Sequence, residues 1–236
     1  MAITVNATGT EGTQGSSSSY NYTNITVAAG SNTALVFQIT FTANVTGITC
    51  TWDSGGTNQS MTVLNSQKED TWSNYVYVFG LLAPTTGNKT LAVSWTTNSS
   101  ITACAAAFDG VLQTSIAAAF TNAANNSANS ANPSLSITTA SGDATFAGIV
   151  CSSSISGITT TQLYRNGSAH QAASYAISSG SSDAHTWTMS SSNWGMAGIR
   201  INQATAGPGS GSDSSLVGIT ESTSNLITVN IVEETS

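Results

Sequence analysis

Charge is the scarcest property of this chain. Of its 236 residues, four are Lys or Arg and eleven are Asp or Glu, 6% in all, against roughly 25% in an ordinary soluble domain. The four basic residues, Lys68, Lys89, Arg165 and Arg200, are scattered. A phosphate backbone is gripped by clustered Lys and Arg, so direct binding of nucleic acid or of an anionic membrane is excluded. Histidine occurs twice, at His170 and His185, too few for a zinc site wanting about three or four ligands. The three cysteines, Cys50, Cys104 and Cys151, include no C-x-x-C pair, which excludes zinc and redox motifs. Cys104 in ITACAAAF and Cys151 in ATFAGIVC read as small core residues, with one disulfide as the alternative. No apolar run approaches the roughly 18 residues of a membrane span. The opening MAITVNATGTEG shows neither the basic nor the apolar region of a secretory signal.

What remains is 39% hydrophobic, enough for a core, with Ser, Thr and Asn in place of charge. These residues favour strands and turns over helices. A chain of this length buries roughly 70% of its unfolded surface, and one domain is the default for an all-β fold of this size. The net charge of −7 keeps a nearly uncharged surface soluble.

The best-formed stretch is NYVYVFGLLAPTTGNKTLAVSW, residues 74 to 95. Tyr75, Tyr77 and Phe79 alternate with Val76 and Val78, and Leu91, Val93 and Trp95 alternate with Ala92 and Ser94, the period of strands. Pro84-Thr85-Thr86-Gly87 supplies the reversal, so this is a β-hairpin or a corner between two sheets. Strands are also expected near Tyr20 to Val27, in ALVFQITFTA, GITCTW and SMTVL, and in ITACAAAF, after a Gly/Ser-rich start. Residues 109 to 133, rich in Ala, Asn and Ser, read as a long connection with one short helical turn.

The second half repeats the pattern of the first. ATFAGIVCSSSISGIT echoes LVFQITFTANVTGIT, and SYAISSGSSDAHTWTMSSSNWGMAGIRI echoes the stretch that begins VYVFGLL. The fold expected is all-β, a two-sheet antiparallel β-sandwich of jelly-roll type. It occupies residues 1–206, with similar halves at about 20–108 and 134–202. Residues 207–236 are then a Gly/Ser-rich linker and a tethered C-terminal strand. In that strand Leu226, Thr228 and Asn230 alternate with Ile227, Val229 and Ile231. It either completes its own sheet or anchors on a neighbouring subunit, which makes Leu226, Ile227, Val229 and Ile231 the candidate anchoring residues.

Candidates for chemistry are few. Asp183 and His185 lie two apart on one side of a strand, as a pair of metal ligands or members of a Ser-His-Asp triad would, but no G-x-S-x-G elbow is present. Solvated strand positions are their ordinary reading. Asp53-Ser54-Gly55-Gly56-Thr57-Asn58 has the oxygen-rich look of a calcium loop without its later acidic ligand, and a plain turn is the simpler reading. Glu69-Asp70 beside Trp72 reads as a charged loop tip. Trp52, Trp95 and Trp187 fall in alternating strands and belong in the core. Trp72 and Trp194 lie in polar turns and are the candidates for surface contact. No enzyme activity, cofactor or metal is expected.

Three segments carry a resemblance: VTGITCTWDSGGTNQSMTVL, VYVFGLLAPTTGNKTLAVSW and ACAAAFDGVLQTS. They resemble β-sandwich domains of bacteriophage virion proteins and bacterial surface proteins. Those show a W-x-x-G turn, an apolar strand ending in L-x-x-P-x-x-G and an alanine-rich strand closing in F-x-G-V. The likeness spans roughly Val27 to Ile201. It implies a non-enzymatic virion structural protein, a capsid decoration or head-fibre protein made in the host cytoplasm and displayed on the particle surface. Its partners would be capsid or other virion proteins, and it would be a homo-oligomer. The alternative is an extracellular or cell-surface carbohydrate-binding module or adhesin, including a tail-fibre component, that contacts surface glycans through Trp72 and Trp194.

Overall fold

The computed structural model describes residues 1–69, 71, 73–165 and 170–205. The expected linker and C-terminal strand over 207–236, and Trp72, lie outside the described residues. The first half carries β1 (Thr4–Thr8), β2 (Gly12–Tyr22), β3 (Thr26–Val27), β4 (Ala34–Phe41), β5 (Thr49–Trp52), β6 (Gln59–Ser60), β7 (Thr62–Lys68), β8 (Tyr75–Leu82), β9 (Gly87–Asn88) and β10 (Leu91–Asp109). A single-turn helix, α1 (Ile116–Ala119), leads into β11 (Phe120–Ser130) and β12 (Ser134–Thr138). The chain continues with β13 (Ala144–Cys151), β14 (Ile155–Ile158), β15 (Thr161–Arg165), β16 (Gln171–Ile177), β17 (Ser182–Met189) and β18 (Ser192–Ile201). The architecture is all-β and antiparallel, a sandwich-like fold as the alternation predicts.

β10 organises the first half. Its beginning, Leu91–Ser94, pairs with β5 and β2, and its end, from Ile101, pairs with β4, β2 and β1. One strand of 19 residues therefore runs through two layers, and the sheet β6-β5-β10-β4-β8-β7 curls over its own core. That core holds Leu35, Phe37, Ile39 and Phe41 of β4, Phe79 and Leu81 of β8, and Leu91, Val93 and Trp95 of β10. Stretch 74–95 is thus the corner rather than the hairpin, since β8 pairs with β4 and β7 and not with β10.

The second half repeats this pairing. β13 lies between β16 and β18 as β4 lies between β8 and β10, β15 flanks β16 as β7 flanks β8, and β14 pairs with β17 as β5 pairs with the start of β10. Even the bulge recurs: the register slips between Val63 and Asn65 opposite β8, and between Gln162 and Tyr164 opposite β16. The difference is a break. Where β10 is continuous, β17 and β18 are separate strands, so the second half has a five-stranded sheet β11-β18-β13-β16-β15 and a three-stranded sheet β12-β17-β14.

The halves pack through their central strands. All eight residues of β4 are buried, and all eight of β13. On β4, Ala34 and Val36 face away from the first core and meet Phe146 and Val150 of β13, with Val76, Val78, Phe108 and Ile199 around them. The other face of β13, Ala147, Ile149 and Cys151, packs on Leu135, Ile137 and Trp187 in a third core. Each large apolar side chain buried in these layers stabilises the fold by about 1.5–3 kcal/mol. Close approach at the middle layer needs small residues. A Cβ on Gly148 would stand 2.7 Å from Gln38, and one on Gly195 would stand 2.5 Å from the Lys68 carbonyl oxygen.

Two expectations fail. The Gly/Ser-rich start, GTEGTQGSSSS, supplies most of β2 after an unexpected β1, and residues 120–130 form β11, where a connection was expected; α1 is the one helical turn of that stretch. Both are edge strands held by a neighbour, β10 for the first two and β18 for the last. Partner pairing overrides the weak strand preference of Ser, Asn, Ala and Gly. Gly195→Ala should destabilise the chain by about 1–3 kcal/mol in urea unfolding, because rigid backbone occupies the space, whereas Gly15→Ala, with nothing within 4 Å, should change little.

Candidate functional site

His185 sits at the centre of the most developed polar network. It lies on β17, fully buried between the sheets of the second half. Its Nδ1 is 2.7 Å from Ser174 Oγ and 3.2 Å from Thr160 Oγ1, and its Nε2 is 3.0 Å from Thr145 Oγ1. The Thr145 hydroxyl donates to Asp183 Oδ2 at 3.0 Å. One neutral tautomer satisfies the chain: Ser174 donates to Nδ1, Nε2–H donates to Thr145, and Thr145 donates to Asp183. The order hydroxyl, imidazole, carboxylate imitates a nucleophilic relay. Ser174, Thr145 and His185 are all 0% exposed, and together they tie β13, β16 and β17 to one another. Burial pushes the His185 pKa down to about 3.

The other sequence candidates are drawn into the same role. Asp53 closes its own turn, with Gly55 at φ +85°. Its Oδ2 accepts from Thr57 N at 3.2 Å, Thr57 Oγ1 at 2.9 Å and Thr85 Oγ1 at 3.2 Å, and Lys89 Nζ lies 3.4 Å from Oδ1. The Thr57 backbone N–H first, then these hydroxyls and Lys89, hold its carboxyl below the usual carboxylate range. Trp52 Nε1 donates to Thr85 O at 2.9 Å, and Gln59 bridges Ala83 O and Thr85 N. The W-x-x-G turn and the L-x-x-P-x-x-G corner are thus one clamp at the end of the first sandwich.

Glu69 is a correction. Expected at a loop tip, it is fully buried, accepting from the Asn74 amide and from the Ser152 hydroxyl of the second half. Asp70 lies outside the described residues. Trp194 is the second correction. It is 3% exposed in the third core, and its Nε1 donates to Ser130 Oγ at 3.0 Å. The polar residues before it already belong to β18, whose alternation turns the indole inward. Trp52, Trp95 and Trp187 are buried as their alternation predicts, and so are all three cysteines, which are unpaired. Among the described residues no three His, Cys, Asp or Glu side chains gather as a metal cluster.

The surfaces left over were not singled out from sequence. The solvent face of the first sandwich is a shallow concavity of about 350 Å³. Ser94 stands there between Ser19 and Thr49, and Ala92 between Asn21 and Thr51. No charged or aromatic side chain lines it. Its signal was the alternate row of the strands, Thr49 and Thr51 on β5 and Ala92 and Ser94 on β10. The second such surface is the outer edge of β11, at the end of the five-stranded sheet.

The buried imidazole makes acid stability a measurable property. The unfolded chain takes up a proton on His185 near pH 6.5, whereas the folded chain refuses it until about pH 3. The contribution is therefore whole above pH 6.5 and lost as pH falls towards 3, roughly 3 kcal/mol by pH 4. His185→Asn should be less stable at pH 7 in urea unfolding, yet lose less on going to pH 4; equal slopes would refute the assignment. Added calcium should leave the melting temperature unchanged, and Asp53→Ala should lower it. Compared with known proteins, the chain matches no family model, no curated protein and no solved structure.

Proposed function

We propose that this chain is a non-enzymatic structural protein of a bacteriophage particle, a capsid decoration or head-fibre protein displayed on the virion surface. The sequence resemblance suggests it, and one structural observation supports it most. β11 is an 11-residue edge strand without a charged residue or proline, the kind of edge that soluble proteins guard unless another chain covers it. The polar clusters of Asp53, Glu69 and His185 are consumed in holding loops and layers together. Much of what faces outward among the described residues is hydroxyl and amide surface, with little charge. Such a body docks on a repeating lattice, as a homo-oligomer with capsid or other virion proteins as partners, and the anchoring residues are Leu226, Ile227, Val229 and Ile231.

A neutral glycan is the second reading, favoured by the uncharged concavity around Thr49, Thr51 and Ser94. Antibodies against the chain should label intact particles of a phage that carries it, and deletion of residues 216–233 should remove the chain from particles while leaving its melting temperature unchanged. Unlabelled particles would refute the virion role. Hits on a glycan array that vanish with Thr51→Lys would then establish the adhesin in its place.

A further inference from the structure

We propose that the outer sheet of the second half, β12-β17-β14, is an acid-operated layer: protonation of His185 releases it from β13 and β16 while the first half and the five-stranded sheet stay folded. This device is independent of the assembly role above.

Equivalent positions of the two halves show what the polar cluster around His185 replaces. LAVSWT of β10 matches DAHTWT of β17, and GITCT at β5 matches GITTT at β14. The registers agree. Cys50 lies opposite Val93 as Thr160 meets His185, and Thr49 bonds Ser94 as Thr159 bonds Thr186. β4 and β13 both have eight residues, and the fourth of each lies opposite Phe79 and Ser174 respectively. Thr145, Thr160, Ser174, Asp183 and His185 thus stand where the first half has Leu35, Cys50, Phe79, Leu91 and Val93, all of them in the first core. The same strand pairing is built once around apolar side chains, so the topology does not require a histidine here. An imidazole at that position makes the layer responsive to protons.

The layers are also joined differently. In the first half β10 runs unbroken through both layers with β2 paired along it, so backbone ladders tie the layers together. In the second half Ser190 and Ser191 separate β17 from β18, and the outer sheet is a separate ladder from the inner one. Side chains hold it in place: Leu135, Ile137 and Trp187 pack on Ala147 and Ile149, and His185 bonds to Thr145, Thr160 and Ser174.

The groups facing His185 are those neutral hydroxyls, with the Trp187 ring 6.1 Å away. β12 and β14 carry no titratable side chain. On β13, Cys151 stays a neutral thiol, burial having pushed its pKa up to about 12. Tyr175 of β16 turns to Phe108 in the middle layer. Asp183 is one hydroxyl removed, through Thr145, and Arg200, opposite Thr145 on β18, is held by Asp143. Among the described residues, an imidazolium here meets no carboxylate directly, so the charge favours a layer opened to water. On opening, His185 regains its ordinary pKa of 6.5, against about 3 when closed. Each pH unit lost between those values favours the open layer about tenfold.

Hydrogen exchange of the full chain, read by mass spectrometry and corrected for the intrinsic rate at each pH, tests this. Peptides from β12, β14 and β17 should lose protection about tenfold per pH unit from about pH 6 to about pH 4. Those from β4, β8 and the start of β10 should keep theirs. His185→Asn should remove the slope, with His185→Gln in its place if the Asn variant fails to fold, and Asp183→Asn should leave it. A slope that persists without the imidazole would overturn the proposal. So would β4 and β10 opening in step with β17, which is global unfolding. A His185 ring whose nitrogen NMR shifts show protonation near its ordinary pKa, with exchange unchanged, would overturn it too.

Discussion

β4 and β13 are walled in on both faces, and the rest of the molecule is arranged around that requirement. A strand with one solvated face alternates apolar and polar residues. These two cannot, so they read ALVFQITF and ATFAGIVC, with Phe, Ile and Val on one or both sides and Ala, Gly or a neutral polar group where the sheets come closest. Gln38, fully buried on β4, donates to Tyr164 Oη at 3.1 Å across the layer, and Thr102 of β10 donates to Gln171 at 2.7 Å. Neutral groups suit such a place, because a buried charge without a partner costs several kcal/mol.

The same pressure explains the scarcity of charge and how the few charges are used. Asp143, nearly buried, is held by Arg200 with Nη2 at 2.7 Å, and also accepts from the backbone of Ala140 and Gln203. Asp109 accepts from Thr33 and Asn6 and closes the loop before β4. Each half thus places an acidic residue at the mouth of its central strand, through a different set of partners. Among the described residues, Asp53, Glu69, Asp109 and Asp143 join loops to sheets.

Much of this was legible in the residues. Period two marked β4, β8 and the start of β10, and the echo of ATFAGIVC with LVFQITF marked β13 as the counterpart of β4, whose strands pair in the same order. The edges were not legible. GTQGSSSSYNY and FTNAANNSANS contain little that prefers a strand, and they are strands because β10 and β18 offer them unpaired backbone. Trp194 was misread for a related reason: SSSNW looks like a turn until Ser192 is seen to begin β18, which fixes the parity of every residue after it.

Composition and alternation by themselves determined an antiparallel all-β chain with internal repetition, no clustered basic surface and the apolar faces of its principal strands, because side-chain period and solvation are local properties. Only the tertiary structure decided that the second face of β4 meets the second face of β13, that Ser174, His185, Thr145 and Asp183 form one buried chain, and that Glu69 reaches across to Ser152. Those outcomes depend on which strands become neighbours, and pairing between residues far apart in the chain leaves no mark in either segment alone.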